Sequence, residues 1–527
     1  MKKHILSAFG LIAALTMSAT QYMHINLPDG KEYDVKVEKT DRVSHVTEGE
    51  EVFIKVNRTD GSSSLYPMNG AEVTFDEEIA RMEGDVANWD AVSTMVEGCV
   101  YDTAIERKVK EARKSRIYDD EIELEFYHAQ REYEDCIKQK KNEKKIEFTE
   151  PEISIQNSAN KIATKLFTEI SKENNHQDKN LIFSPTSLQF ALAMLANGAD
   201  NDDAYAEITT ALGEKNMPLD NLNKMYEKRM ANLLFVDPQK VKIGVTNAAF
   251  LQNGVLFGKN FMQNLDEYFK AAANNVDFNE DSTYTKMNDW ADRSTNGMIK
   301  DLGINKNPSL ILVLANALSF QSEWDEKFNS AETAPGKFVT SKGEEKQVDK
   351  MNKVFTGGYA EGENYQLVTI PFYEGFKMNI ILPSEGTTPD QVLEEIDLDN
   401  IKYKYYEEEY SVIYCPKLSL PKFNIDAKIN LNESLKKIGL EETFVTNFNN
   451  IAKEAKVDNV KQLAHLEIDE EGAKGAAVTT VELVGSAGYI EEIVDMDVNR
   501  PFIVTINNPK THEVLFIGLI NDPTLNK

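Results

Sequence analysis

Near the N-terminus apolar and polar residues alternate in short runs, His24 to Leu27, Tyr33 to Val37, Glu51 to Val56 and Val73 to Phe75, with Pro28-Asp29-Gly30 and Thr59-Asp60-Gly61 among the breaks. A two-residue period punctuated by Asp-Gly turns predicts hairpins, so residues 21–100 read as a small β module. From Glu106 to Lys145 that period gives way to a charged run without proline or glycine. Its apolar stripe is thin, which predicts a surface-exposed helical spacer over residues 101–150. Further on, Leu181 to Phe183 makes a short apolar strand leading into the helical run LQFALAMLANGA. Between them Ser184 and Ser187 are placed to cap orphan amides, and Pro185 suits a first helical turn.

The stretch Glu470 to Ile490, EEGAKGAAVTTVELVGSAGYI, has a pattern of its own. Taken alternately, Ala473, Gly475, Ala477, Thr479, Val481 and Leu483 form a small or apolar set, while Lys474, Ala476, Val478, Thr480, Glu482 and Val484 hold both charges. Successive strand side chains face opposite sides, so the segment can bury one face in a sheet and leave the other wet. Its end, Gly485-Ser486-Ala487-Gly488, has instead the composition of an exposed loop tip that a protease can cut. One segment therefore suits both an interior strand and a bait.

That duality resembles the reactive-centre loop of the serpins, and further motifs carry the resemblance from about Ile155 to the C-terminus. Glu470-Glu471-Gly472 resembles the family's hinge, Asn499-Arg500-Pro501-Phe502 the motif after the loop, and Leu515-Phe516-Ile517-Gly518 with Asn521-Asp522-Pro523 the closing strand. Asn180 to Ser187, Asn247 to Phe250, Trp290 to Leu302, Leu314 to Phe328, Pro416 to Phe423 and Leu435 to Phe444 match its other landmarks, with Ile162 to Glu169 as the first helix. The resemblance implies an α+β serpin fold over residues 151–527, with helices around a large central mixed sheet and smaller sheets beside it. It implies a hinge at Glu470, Glu471, Gly472, Ala473, Gly475 and Ala477, and a sheet-opening region at Ser184, Pro185, Ser187, Asn316, Trp324 and Gln462. It does not cover residues 1 to about 150.

What the resemblance implies about function is a suicide-substrate inhibitor of endopeptidases rather than an enzyme. The protease cuts the loop, the freed arm inserts into the central sheet, and the acyl-enzyme is trapped. The alternative is a non-inhibitory serpin acting as a binding or chaperone module. The inward set of the loop has none of the bulky or charged residues that would favour that alternative. Two departures stand out. Gln462 occupies the place where most members carry a histidine, keeping a donor and an acceptor but losing the titration. Ala473 and Gly475 replace the usual threonine or serine and alanine.

Counting from the hinge puts the scissile bond at Ser486-Ala487. Counting back from Pro501 moves it toward Tyr489 and Ile490. Inserted length is what distorts the protease, which favours the hinge count. No lysine or arginine lies between Gly475 and Asn499, so a specificity pocket with a buried acid finds no partner, and trypsin-like enzymes are expected to fail. Val484, Ser486 and Ala487 suit elastase-like serine proteases, and Tyr489 a chymotrypsin-like pocket. Val484 also suits papain-like cysteine proteases cutting after Gly485.

Charge and composition narrow the partners. With 58 basic and 87 acidic residues the formal charge is −29, which opposes nucleic acid and a heparin-type polyanion. A monomer is expected. Lys2 and Lys3, the apolar run Ile5 to Met17 and Ser18-Ala19-Thr20 make residues 1–20 a signal peptide, so a secreted, extracellular or periplasmic location is expected. Together these readings describe an exported bacterial serpin with an extra N-terminal region. Export permits a Cys99–Cys136 bridge and leaves Cys415 as a buried thiol. The seven histidines are scattered with no His-Glu-x-x-His, and Cys-x-x-Cys is missing too, so neither metal nor cofactor is expected.

Overall fold

The computed structural model describes strand segments between residues 22 and 75, then residues 108–109, 120–143, 146–173, 179–355, 358–398, 400–404, 406–407, 412–473, 490–508 and 510–525. The chain forms two compact units, one of residues 1–88 with 272–274, the other of 89–271 with 275–527. In the first, Tyr22–Asn26 lies between Glu32–Lys36 and Glu72–Phe75, and Glu51–Arg58 between Thr40–Glu48 and Ser63–Pro67. All four pairings are antiparallel. The strands Thr40–Glu48 and Ser63–Pro67 carry no clean apolar alternation, and only their pairing with the apolar strand between them defines them.

The second unit opens with helix α1 (Asp120–Glu143), followed by α2 (Glu150–Ser171) and α3 (Pro185–Ala196). Helix α1 differs from a free-standing spacer. Its thin stripe, Tyr133 and Ile137, is buried against Phe235, and Cys136 on the same helix is disulfide-bonded. Cys99, its expected partner, lies outside the described residues, while Cys415 is a free, buried thiol. Helix α2 starts well before Ile162, because Thr149 and Glu152 form a capping box around Pro151. In α3, Ser184 accepts from the Ser187 amide and Pro185 begins the helix. Ser187 thus contributes its backbone, not a second cap.

The central sheet holds β1 (Val241–Gln252), β2 (Ala272–Val276), β3 (Leu312–Glu323), β4 (Phe423–Asn430), β5 (Lys461–Ile468) and β6 (Gly472–Ala473), in the order β4-β5-β6-β3-β1-β2. β1 and β3 pair over eleven residues, from Leu312↔Leu251 to Ser322↔Val241. A second sheet has Val412–Pro421 flanked by Glu345–Val354 and Tyr406–Glu407, with Ile490–Asp497 added in parallel and Ala334–Val339 at the edge. A third sheet carries the deepest core: every residue of Glu513–Ile520 is buried between Phe502–Asn508 and Leu181–Phe183. Glu513 is tolerated there because Arg229 Nε donates to it at 2.8 Å, both side chains being almost wholly inaccessible. That pair anchors the helix Leu219–Leu233 to the third sheet.

Candidate functional site

The site is the place where β6 wedges between two long strands. Ala473 faces Ser322 on one side and Ile468 on the other, and Gly472 faces Glu323. Among the described residues Ala473 alone pairs with both β3 and β5, and Gly472 pairs with β3. Below them the strands part, and a cavity of about 540 Å³ opens between Leu312 to Ala317 and Lys461 to Leu463. The chain leaves the wedge at Ala473 and returns at Ile490, where a strand begins opposite Val412. Gly475, Ala477, Val484, Gly485, Ser486, Ala487 and Tyr489 lie outside the described residues.

A tight turn feeds the wedge. The Asp469 carboxylate accepts from the amides of Glu471 (2.9 Å) and Gly472 (3.2 Å). Burial nevertheless holds this carboxyl above the ordinary aspartate range. Gly472 has φ +146°, and a Cβ there would sit 2.2 Å from the Ser322 carbonyl oxygen, so only glycine fits this approach. Glu470 accepts from the Thr333 hydroxyl at 2.7 Å and meets Lys422 at 3.3 Å. Burial opposes its charge, yet those two partners prevail and keep its carboxyl below the usual value. Glu471 meets Lys327 at 2.6 Å, and Lys327 also meets Glu323 at 3.1 Å. Burial disfavours the ammonium, but the two carboxylates outweigh it and raise its pKa.

Trp324 joins this turn to the end of β3. Its indole N–H donates to the Asp469 carbonyl at 2.9 Å, its backbone N–H donates to Glu471, and its ring stacks 4.3 Å from Phe372. At the opposite end of the opening, Gln462 makes two 2.8 Å bonds to one residue, accepting from the Ser184 N–H and donating to the Ser184 carbonyl. An amide carries its donor and acceptor side by side on one carbon, so the one side chain meets both the N–H and the carbonyl of the same residue. Across the gap, Asn316 donates to Asn247 at 2.8 Å, while its own carbonyl oxygen is buried without a partner. The structure therefore gathers Glu470 to Ala473 with Trp324 at the wedge, and Ser184, Pro185, Ser187, Asn316 and Gln462 around the opening. Asp469, Lys327, Thr333, Lys422 and Phe372 also belong to the hinge's surroundings. No local pattern marks the last four, since the partners that tie them to the hinge and to Trp324 lie between 48 and 144 positions away. Among the described residues no group of three or more His, Cys, Asp or Glu is placed to hold a metal.

The strands of the central sheet part below a two-residue wedge, and the chain leaves that wedge at Ala473 and returns on another sheet at Ile490. The serpin (serine protease inhibitor) family model matches residues 157–523, and the chain belongs to that family. Its members are generally protease inhibitors. The chain is 28% identical to neuroserpin of Homo sapiens over 365 residues, 66% of this chain and 87% of that protein. The native structure of tengpin, a thermophilic serpin, matches with a TM-score of 0.62 and 27% identity, covering 71% of this chain and 95% of tengpin. Native protease nexin-1 with heparin matches with a TM-score of 0.58 and 26% identity, covering 71% of this chain and 100% of that one. The α+β serpin fold read from the motifs is the fold found.

Proposed function

We propose that this chain is a suicide-substrate inhibitor of elastase-like serine proteases, acting by loop cleavage, loop insertion and acyl-enzyme trapping. The observation that carries the reading is the register of the wedge. Continued down both neighbours from the observed pairs, it sets Gly475 between Phe320 and Leu466, and Ala477 between Leu318 and Ala464. Thr479 falls between Asn316 and Gln462, and Val481 between Leu314 and Val460. The least bulky inward residue meets the largest neighbour, and the hydroxyl arrives beside the unpartnered Asn316 oxygen. Further down, the inward side chains reach the cavity.

Each inserted residue adds ladder hydrogen bonds worth about 0.5–1.5 kcal/mol net, so about ten residues contribute on the order of 10 kcal/mol before apolar burial is added. Insertion up to Ser486 carries the attached enzyme roughly 45 Å at about 3.4 Å per residue. The resting state must then be a kinetic trap. The attacking nucleophile is the protease's own. This chain supplies the carbonyl, the tether and the strand.

The start of the returning strand at Ile490 supports Ser486-Ala487 as the scissile bond, since a cut at Tyr489-Ile490 would fall at the edge of a paired strand. Cleavage after Gly485 by papain-like enzymes is a secondary use of the same loop. Heparin accompanies nexin-1 in its structure, but a chain of charge −29 is not suited to such a polyanion. Residues 1–20 are proposed to direct export, with 21–100 and 101–150 as separate N-terminal regions.

The test is a denaturing gel after incubation with elastase, with papain and with trypsin, followed by mass spectrometry of the released peptide. A boiling-resistant elastase complex and a peptide starting at Ala487 are expected. Turnover without a complex overturns inhibition, a peptide starting beyond Ile490 overturns the register, and a stable trypsin complex overturns the specificity.

A further inference from the structure

Loop insertion requires β1, β2 and β3 to move away from β5 by about one strand spacing, ~4.8 Å. The root of β1 is therefore where movement relative to the other sheets must be accommodated. Asp237 closes that root, its carbonyl accepting from Lys240 and Val241 and its carboxylate from the Gln239 amide. Helix α1 sits on this point. Tyr133 donates to the Asp237 carboxylate at 2.7 Å in a buried contact, and Tyr133 and Ile137 enclose Phe235 just upstream. Two turns further along α1, Lys141 pairs with Glu374. Glu374 belongs to the turn joining Tyr365–Pro371 and Lys377–Pro383, two strands of the third sheet. It also accepts from the Asp237 amide at 3.3 Å.

We propose that α1 is a strap that holds the strands required to move against the third sheet, bonded at one point to the root of β1 and at another to a turn of the third sheet. The serpin family match begins at residue 157, so the strap lies outside the matched region. It acts by holding Asp237 and Glu374 together, which raises the barrier to widening the sheet. A contact surviving in the closed sheet and broken in the widened one slows opening by its full strength. For a buried hydrogen bond to a carboxylate that is roughly a tenfold effect or more. The strap thus retards spontaneous insertion while leaving the stability of the inserted state nearly unchanged. The inference rests on the insertion mechanism proposed above.

The test uses the full chain carrying Tyr133→Phe, which keeps the packing of the ring and removes only the hydroxyl, alone and with Lys141→Ala. Two readouts are taken: the rate at which the intact protein loses inhibitory activity on warming, and the hydrogen exchange of the Val241–Gln252 amides. The proposal expects roughly tenfold faster loss in the double variant and faster exchange in β1, with the loop-cleaved forms melting together. Exchange and conversion at wild-type rates overturn the strap. If cleaved wild type melts no higher than intact wild type, the insertion mechanism fails instead. In that case the exchange of β1 still decides whether α1 restrains the strand.

Discussion

Arginine at position 477 separates the resting state from the act of insertion. Ala473 is already buried, with 1% of its surface exposed, between Ser322 and Ile468. Arginine at 473 would therefore damage the native protein as well as its mechanism. Ala477 lies beyond the paired residues and, in the continued register, enters between Leu318 and Ala464, both buried. An unpaired guanidinium there costs about 3–5 kcal/mol. Placed on the insertion barrier, that slows the step by roughly 10² to 5 × 10³. Trapping depends on insertion outrunning hydrolysis of the acyl-enzyme, so the variant should be cut and released. Titration of elastase with Ala477→Arg should show many cleaved molecules per complex, while the melting of the intact protein stays that of wild type. A stoichiometry equal to wild type would place residue 477 outside the sheet and refute the register.

Three further outcomes test the hinge and the opening. Gly472→Ala forces a Cβ to 2.2 Å from the Ser322 carbonyl oxygen at φ +146°, a strain of about 2–4 kcal/mol. Calorimetry of the intact protein should show a midpoint lower by roughly 3–5 °C for a domain this size, and an unchanged midpoint would show that the approach relaxes freely. Gln462→Leu orphans the buried Ser184 amide at about 1–3 kcal/mol, so thermal scans should again show a less stable intact form. Acid acts on Glu470 in a defined direction: its folded pKa lies below the ordinary 4.5, so its stabilising contribution is present above that value and is lost as pH falls through the folded pKa. Asp469, raised above 3.8 by burial, works oppositely, its penalty at neutral pH easing as it protonates. Glu470→Gln should therefore narrow the gap between intact-form melting at pH 6 and at pH 3.5. A gap of unchanged size would remove Glu470 from the acid response.

Those residues differ in how far the sequence announces them. The helix Pro185–Ala196 is legible because serine, proline and an apolar run act locally, through a cap, a fixed φ and a buried face. The capping box Thr149-Glu150-Pro151-Glu152 is equally local and sets the start of α2, although the apolar period becomes clear only later. Thr40–Glu48 contains four charged or imidazole side chains among nine residues, so its strand character rests on its partner. The hinge motif Glu470-Glu471-Gly472 is visible as letters. What holds it is not: Thr333, Lys422 and Lys327 are brought there by the fold, and the Gln462 bond to Ser184 spans 278 positions. Helix α1 shows the same limit, since a stripe of two side chains is too thin to predict packing and becomes meaningful only where Phe235 and Asp237 meet it.

In the proposed mechanism the wedge decides how insertion of the loop begins. Ala473 already pairs with both neighbours and Gly472 with β3, so in the proposed mechanism no new nucleus is needed for insertion and the remaining residues can add one at a time. What opposes the first step is the separation of β3 from β5, which disturbs contacts at both ends. At the top, Trp324 and Lys327 tie the end of β3 to the turn leading out of β5. At the bottom, Gln462 ties β5 to Ser184, while at the top, where Val241 pairs with Ser322 beside the wedge, α1 ties the root of β1 to the third sheet. These contacts are few, polar and directional, so they fail over a short displacement, whereas the burial gained by the loop accumulates over its whole length. In the proposed mechanism, a barrier made of short-range bonds standing before a long downhill run gives a resting state that persists until cleavage frees the arm.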